Sequence, residues 1–145
     1  MTEPEGHPPR GHLLLPHTAD VIVEAWGANE VECAEEAAGA LIEVCVSGQP
    51  APDEASLVTT IEAVRSRELV EAVLDETVFA LDTSELVPVA ATLEGSVDGG
   101  FELRMNVAHR DVVRLTGAAP KAVVMVNFEG GDGGTPSRCR FIVDV

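Results

Sequence analysis

The chain has 145 residues, enough for one domain with a sizeable core, and 46% are hydrophobic, which excludes a disordered protein. Its formal charge is −16, from 25 acidic and 9 basic side chains, and only 3% of residues are aromatic. It therefore lacks both the clustered cations that hold a phosphate backbone and the aromatic platforms that stack single-stranded bases. The expectation is no direct nucleic-acid binding. Such a surface suits a basic protein partner or bound cations, and it also serves solubility alone.

Three cysteines, Cys33, Cys45 and Cys139, show no CxxC spacing, and no signal-peptide pattern opens the chain. A reducing, cytoplasmic setting follows as the expectation, with the cysteines as buried free thiols. No apolar run approaches the roughly 20 residues that span a bilayer, so no membrane association is expected.

In chain order, residues 1–12 are rich in Pro and Gly without apolar periodicity, and read as a disordered N-terminal tail that includes His7 and His12. A single domain then runs over 13–145. Residues 20–26 alternate as a strand, with Val21, Val23 and Ala25 on one face. Asn29 is a good helix N-cap, and Glu32 three residues on completes a capping-box pattern. Ala34, Ala37, Ala38, Leu41 and Cys45 form the buried stripe of that helix, and Glu32, Glu35, Glu36 and Glu43 its solvated face.

The β-branched segment 56–64 predicts a strand. Ser66 then caps a second helix over 67–81, with Val70, Val73, Leu74, Thr77 and Leu81 facing the core. Alternation over 87–97 and 101–107 around Asp98-Gly99-Gly100 predicts a hairpin, and Pro88 marks an edge strand or a bulge. An irregular connection runs from His109 to Pro120. The continuous apolar run of 121–128 predicts a strand buried on both faces. The glycine-rich loop of 129–137 lacks the Lys-Ser/Thr ending of a phosphate-binding loop. A last strand covers 138–145. The fold expected is α+β, a two-layer sandwich in which a mixed, largely antiparallel sheet carries two helices on one face.

Asp20 opens one strand after Leu15-Pro16-His17-Thr18-Ala19, and Asp144 ends another just before Val145. Two carboxylates at strand tips, with a C-terminal carboxylate, are oxygen ligands of the kind that hard cations take. An ordinary strand-end aspartate is the simpler reading of each. His17 with Asp20 could perform acid–base work, or its ring could cap local backbone. A metal-dependent hydrolase would need His17, Asp20 and Asp144 to converge on one reacting position. Arg104, His109, Arg110, Arg114, Lys121, Arg138 and Arg140 make the second half of the chain denser in basic residues, either as a small positive patch or, the favoured reading, as charge balance for the acidic helices.

The chain resembles the archease family from about Leu13 to Val145. The resemblance is carried by His17-Thr18-Ala19-Asp20, the Glu35-Glu36-Ala37-Ala38 helix, the segment from Leu69 to Thr83, Lys121-Ala122-Val123 and the terminal Val143-Asp144-Val145. It implies a non-enzymatic protein cofactor of an RtcB-type RNA ligase, promoting guanylylation and multiple turnover in tRNA splicing and RNA repair. It also implies a divalent cation (Ca, Mg or Mn) held by Asp20, Asp144 and Val145, and a segment inserted between the halves of the fold. The chain departs from the family pattern at Val73-Leu74-Asp75-Glu76 and Val124-Met125-Val126, where aliphatic side chains replace aromatic or polar ones. A divergent metal-binding adaptor for another protein partner is the alternative.

Overall fold

The structure is a computed structural model that describes residues 9–17, 20–48, 50–53, 55–62, 66–83, 85–96, 98–116, 120–130 and 136–144. Residues 1–8 of the expected tail, Thr18, Ala19, most of the glycine-rich loop and Val145 lie outside the described residues, as do the side chains of Pro16 and His17.

Four strands, β1 (Gly11–His17), β2 (Asp20–Gly27), β8 (Ala122–Glu129) and β9 (Ser137–Asp144), form one sheet in the order β1-β2-β9-β8. A second sheet has the order β4-β6-β5, from β4 (Ser56–Ile61), β5 (Leu86–Ser96) and β6 (Gly100–His109). The short strands β3 (Val46–Ser47) and β7 (Arg114–Leu115) pair with each other. Every strand pairing among the described residues is antiparallel. The strands thus divide between sheets, and the α+β class with largely antiparallel pairing holds. Pro88 meets both of its expectations: β5 is an edge strand, and its register with β6 shifts between Pro88 and Ala90. Proline has no N–H to give the ladder, which confines it to such places.

Helix α1 (Glu30–Cys45) begins as its sequence predicts. The Asn29 side chain accepts from the Glu32 N–H at 2.9 Å, and the Glu32 carboxylate accepts from the Ala28 N–H at 3.1 Å. Cys33, Ala34, Ala37, Ala38, Ala40 and Leu41 are all fully buried. These mostly small side chains let α1 pack closely on β2 of the larger sheet and β5 of the smaller, with helix α2 (Ser66–Thr83) beside it. The Cys33 thiol donates toward the Ala25 carbonyl of β2 at 3.7 Å. The start of α2 differs from the expectation. Its first N–H, at Ser66, donates to the carboxylate of Glu30 at 2.7 Å, so α1 caps α2 with a side chain only 5% exposed. Helix α2 is tied to β8 by Arg67, which donates to the Met125 carbonyl at 3.2 Å.

The expected tail overlaps strand β1 by two residues, because β1 starts at Gly11. Arg10 pairs with Glu36 at 2.7 Å and Glu35 at 3.3 Å. The ring nitrogens of His12 lie 2.9 Å from Glu36 and 2.6 Å from Glu43. The glutamates assigned to a solvated face therefore bind β1 to α1, and Glu35 also accepts from the Leu93 N–H of β5 at 2.8 Å. Both ring nitrogens of His12 face carboxylates, and only the imidazolium can donate to both. Partial burial lowers the His12 pKa, but the hydrogen bonds and charges of Glu36 and Glu43 outweigh it and leave it raised. Burial likewise pushes Glu36 up, and His12 and Arg10 bring it below the usual carboxylate range.

The signs fix a pH window. A raised His12 stabilises the fold below its unfolded value of 6.5 and ceases to do so as pH rises through the folded value. A lowered Glu36 stabilises above 4.5 and ceases to do so as pH falls through its folded value. The clamp, with Arg10, Glu32, Glu35 and Glu43 as its other charged groups, is fullest between 4.5 and 6.5. Thermal melts should show His12→Gln less stable by about 1 kcal/mol in that interval, with the difference shrinking toward alkaline pH. A pH-independent difference would remove the imidazolium from the account.

Candidate cation site at the open end of the larger sheet

The site lies at the end of the four-stranded sheet that holds the last residue of β1 and the first of β2. Pairing in register sets His17 opposite Asp20, Asp20 opposite Asp144, and Asp144 opposite Ala122. Alternation along β2 fixes the faces. Val23 and Ala25 point into the core and are fully buried, so Asp20, Ile22 and Glu24 belong to the other face. The same holds on β9, where Phe141 and Val143 are fully buried and Asp144 is exposed. Asp20 is half-buried. The main-chain carbonyl of Asp144 accepts from the Lys121 N–H at 2.8 Å, which joins the end of β9 to the start of β8.

Directly opposed residues of an antiparallel pair have Cβ atoms roughly 5 Å apart, and like charges in that relation repel. A hard cation between Asp20 and Asp144 would turn the repulsion into shared coordination. The donor set, two carboxylates opposed across β2 and β9, is of the kind such an ion takes, with water completing its shell. Among the described residues no group of three or more His, Cys, Asp or Glu surrounds this point. The third expected ligand, Val145, lies outside the described residues.

Other sequence candidates fall elsewhere. An open cleft of about 800 Å³ is lined by His12, Ile42, Glu43, Pro50, Val89 and Thr116, among others, and by neither aspartate. Val73, a departure from the family pattern, is fully buried in α2, on the core-facing side expected for it. Val126 is on the surface. The three cysteines are free and buried. A hydrogen bond to Cys139 and burial push the Cys33 thiol far up, and burial pushes Cys45 up to about 11, so neither supplies a thiolate near neutral pH. Among the basic residues, Arg140 forms an ion pair with Glu24, and Arg104 pairs with Glu102 at 3.1 Å. Sequence reasoning missed Arg10, His12 and Glu30 as organising groups. The spacing of Glu32, Glu36 and Glu43 along one side of α1 was the available signal, and it needed β1 beside it to be read. No helix among the described residues is long and apolar enough to cross a membrane.

Comparison with known proteins places this geometry among relatives. Residues 13–145 match the family model described as the archease protein family. Over 135 residues the chain is 31% identical to the "Probable protein archease" of two Mycobacterium tuberculosis strains, CDC 1551 and H37Rv, covering 93% of this chain and 75% of the mycobacterial protein. The solution structure of Methanobacterium thermoautotrophicum protein 1598 superposes with a TM-score of 0.61 at 22% identity, covering 93% of this chain and 99% of that one. These names describe proteins and state no enzymatic activity.

Proposed function

We propose, from the premise that this chain belongs to the archease family, that it is a non-enzymatic cofactor protein which binds a divalent cation and activates an RtcB-type RNA ligase. The reading includes a cytoplasmic setting and a part in tRNA splicing and RNA repair. The observation that supports it is the opposition of Asp20 and Asp144 across β2 and β9 in a member of that family. Asp20 and Asp144 hold the ion, and Val145 at the end of the chain supplies a further oxygen. The chemistry such an ion would supply there is a positive centre for anionic groups of the partner or its nucleotide. The strongly negative surface meets the ligase and leaves RNA binding to it.

Reconstitution with the RtcB-type ligase of the same genome, GTP and Mn²⁺ tests this. The wild type should convert a stalled ligase to multiple turnover. Asp20→Asn should lower both cation affinity by calorimetry and stimulation of turnover by at least about tenfold. No stimulation by the wild type, or full stimulation by Asp20→Asn, would overturn the reading.

A divergent adaptor for another protein is the second reading. It is favoured by the aliphatic side chains exposed at Val124 and Val126.

A further inference from the structure

The edge strands of the two larger sheets are β1, β8, β4 and β5. Three of them carry features that discourage a further strand from pairing. Strand β1 contains Pro16, and its His12 pairs with α1. Strand β5 contains Pro88 with a register shift beside it, and β8 has a register shift between Met125 and Asn127. Strand β4, Ser56-Leu57-Val58-Thr59-Thr60-Ile61, has no proline, no charged residue and an unbroken register with β6. In an antiparallel pair, alternate residues turn their backbone groups away from the partner strand, so β4 presents a row of donors and acceptors along its outer edge. Among the described residues nothing hydrogen-bonds to that edge. The edge opens onto a groove. A depression of about 320 Å³ is lined by Leu57, Val58 and Thr59 of β4 and by Glu76, Phe79 and Ala80 of α2. Because three consecutive residues of β4 line it, its wall is the edge of the strand and not one face alone. Phe79 is 65% exposed and Val58 49%.

The charge of the groove selects what fills it. Glu76 lines it, and Glu68 and Asp75 stand with Phe79 on the exposed side of α2. None of these three carboxylates forms an ion pair among the described residues. Those of α1 and β2 differ, since Arg10, His12 and Arg140 answer them. Arg67 is engaged with Glu71 and with the Met125 carbonyl of β8. Arg104 stands opposite Val58 on the outward face of the smaller sheet, and it pairs with Glu102. A second copy of the chain would set the same carboxylates and another charge of −16 against this edge, which opposes pairing of β4 with itself. We propose that the groove between β4 and α2 receives an extended segment of a partner protein, apolar at its centre and basic on either side. The segment pairs with the edge of β4 as an added strand. Its central side chain lies against Leu57, Phe79 and Ala80, and Lys or Arg two residues to either side meets the carboxylates of α2. Neither Asp20 nor Asp144 lines the groove, so this surface is separate from the cation site and does not rest on the ligase reading.

The test titrates the full chain with a synthetic peptide, acetyl-Lys-Thr-Lys-Thr-Leu-Thr-Lys-Thr-Lys-amide, and follows the backbone amides by NMR. In an extended peptide, alternation puts the Leu and Lys side chains on one face. Binding should protect the outward-facing amides of residues 56–61 from hydrogen exchange, as new ladder bonds form. The same peptide with N-methyl groups along its backbone keeps its charge and side chains but loses its donors, and should bind at least about tenfold more weakly. This comparison tests the added strand without any change to the protein. Phe79→Ser should also weaken binding at least about tenfold, the scale of a central aromatic anchor. Glu76→Lys should weaken it at least about fivefold, because attraction becomes repulsion. Glu94→Lys, the same change of charge at an exposed position of β5, should bind as the wild type does. Circular dichroism checks that each variant folds. Absence of peptide binding overturns the proposal. Equal binding of the N-methylated peptide overturns strand addition and leaves attraction of charge alone. Weakening by Glu94→Lys as large as by Glu76→Lys overturns the groove as the site. A dimer of the wild type dispersed by Phe79→Ser assigns the edge to a second copy and overturns the proposed occupant.

Discussion

Phe141→Ala is expected to destabilise the protein by about 3–5 kcal/mol, the range for truncating a large buried aromatic side chain. Phe141 is among the largest fully buried side chains of the molecule. It sits in the centre of β9, opposite Val23 of β2 and Met125 of β8, on the face that meets α1. Aromatic residues are scarce in this chain, so the core is assembled from Val, Ala and Leu around few large side chains. Val23 and the alanines of α1 are too short to reach into the space left by a phenyl ring, and Met125 alone fills only part of it, so most of the cavity persists. Urea unfolding followed by circular dichroism measures the loss. A cost under about 1 kcal/mol would mean that the surrounding strands collapse around the site.

The position of Phe141 also shows how the site depends on the core. Two residues of alternation carry β9 from Phe141 to Val143, and the next residue is Asp144. A slip of one residue in the pairing of β2 and β9 would turn Phe141 and Val143 outward, and it would separate Asp144 from Asp20. Burial of the apolar face therefore holds the two carboxylates opposite each other against their repulsion. No local preference of the aspartates does so.

That dependence explains what was legible in the sequence. Helix α1 is written locally, in the cap formed by Asn29 and Glu32 and in an alanine stripe with helical spacing. The β5–β6 hairpin is written in Asp98-Gly99-Gly100, and the irregularity of β5 in Pro88. The aspartates were legible as strand tips, but their opposition is a long-range pairing that no local pattern encodes. It was reached through a family resemblance. Strand β1 escaped detection because His12-Leu13-Leu14-Leu15-Pro16 has no alternation and follows a Pro- and Gly-rich stretch. Its place is set by the neighbour β2 and by ion pairs to α1. The exposure of β8 at Val124 and Val126 departs from the expected burial on both faces for a related reason. A continuous aliphatic run says that a strand is apolar on both faces, but only the assembled sheet says that one face meets water. That is why Val124 and Val126 stand exposed while Met125 between them is buried.

Two glycine-to-alanine substitutions close to one another in sequence should act in opposite directions. Gly27 ends β2, and a Cβ built there would lie 2.5 Å from the Glu32 Cβ, 2.7 Å from the Cys33 nitrogen and 2.9 Å from the Glu32 carbonyl carbon. Two of these are backbone atoms of the first turn of α1, which cannot rotate away as a flexible side chain tip would. Gly27→Ala must push α1 from the end of β2, and it strains the cap in which the Ala28 N–H binds Glu32. The cost should reach the upper part of the range for overpacking, about 2–3 kcal/mol. Gly39 lies in the middle of α1, beside the open cleft, and a Cβ there meets nothing within 4 Å. Gly39→Ala removes backbone freedom from the unfolded chain without a clash, and should stabilise by about 0.5–1 kcal/mol. Measured together by denaturant unfolding, the pair separates close approach from helix propensity, since the substitution is the same in both. If Gly27→Ala were neutral, α1 would not be seated against the end of β2 by direct contact. The alignment of strand, cap and helix that follows Asp20 along the chain would then need another cause.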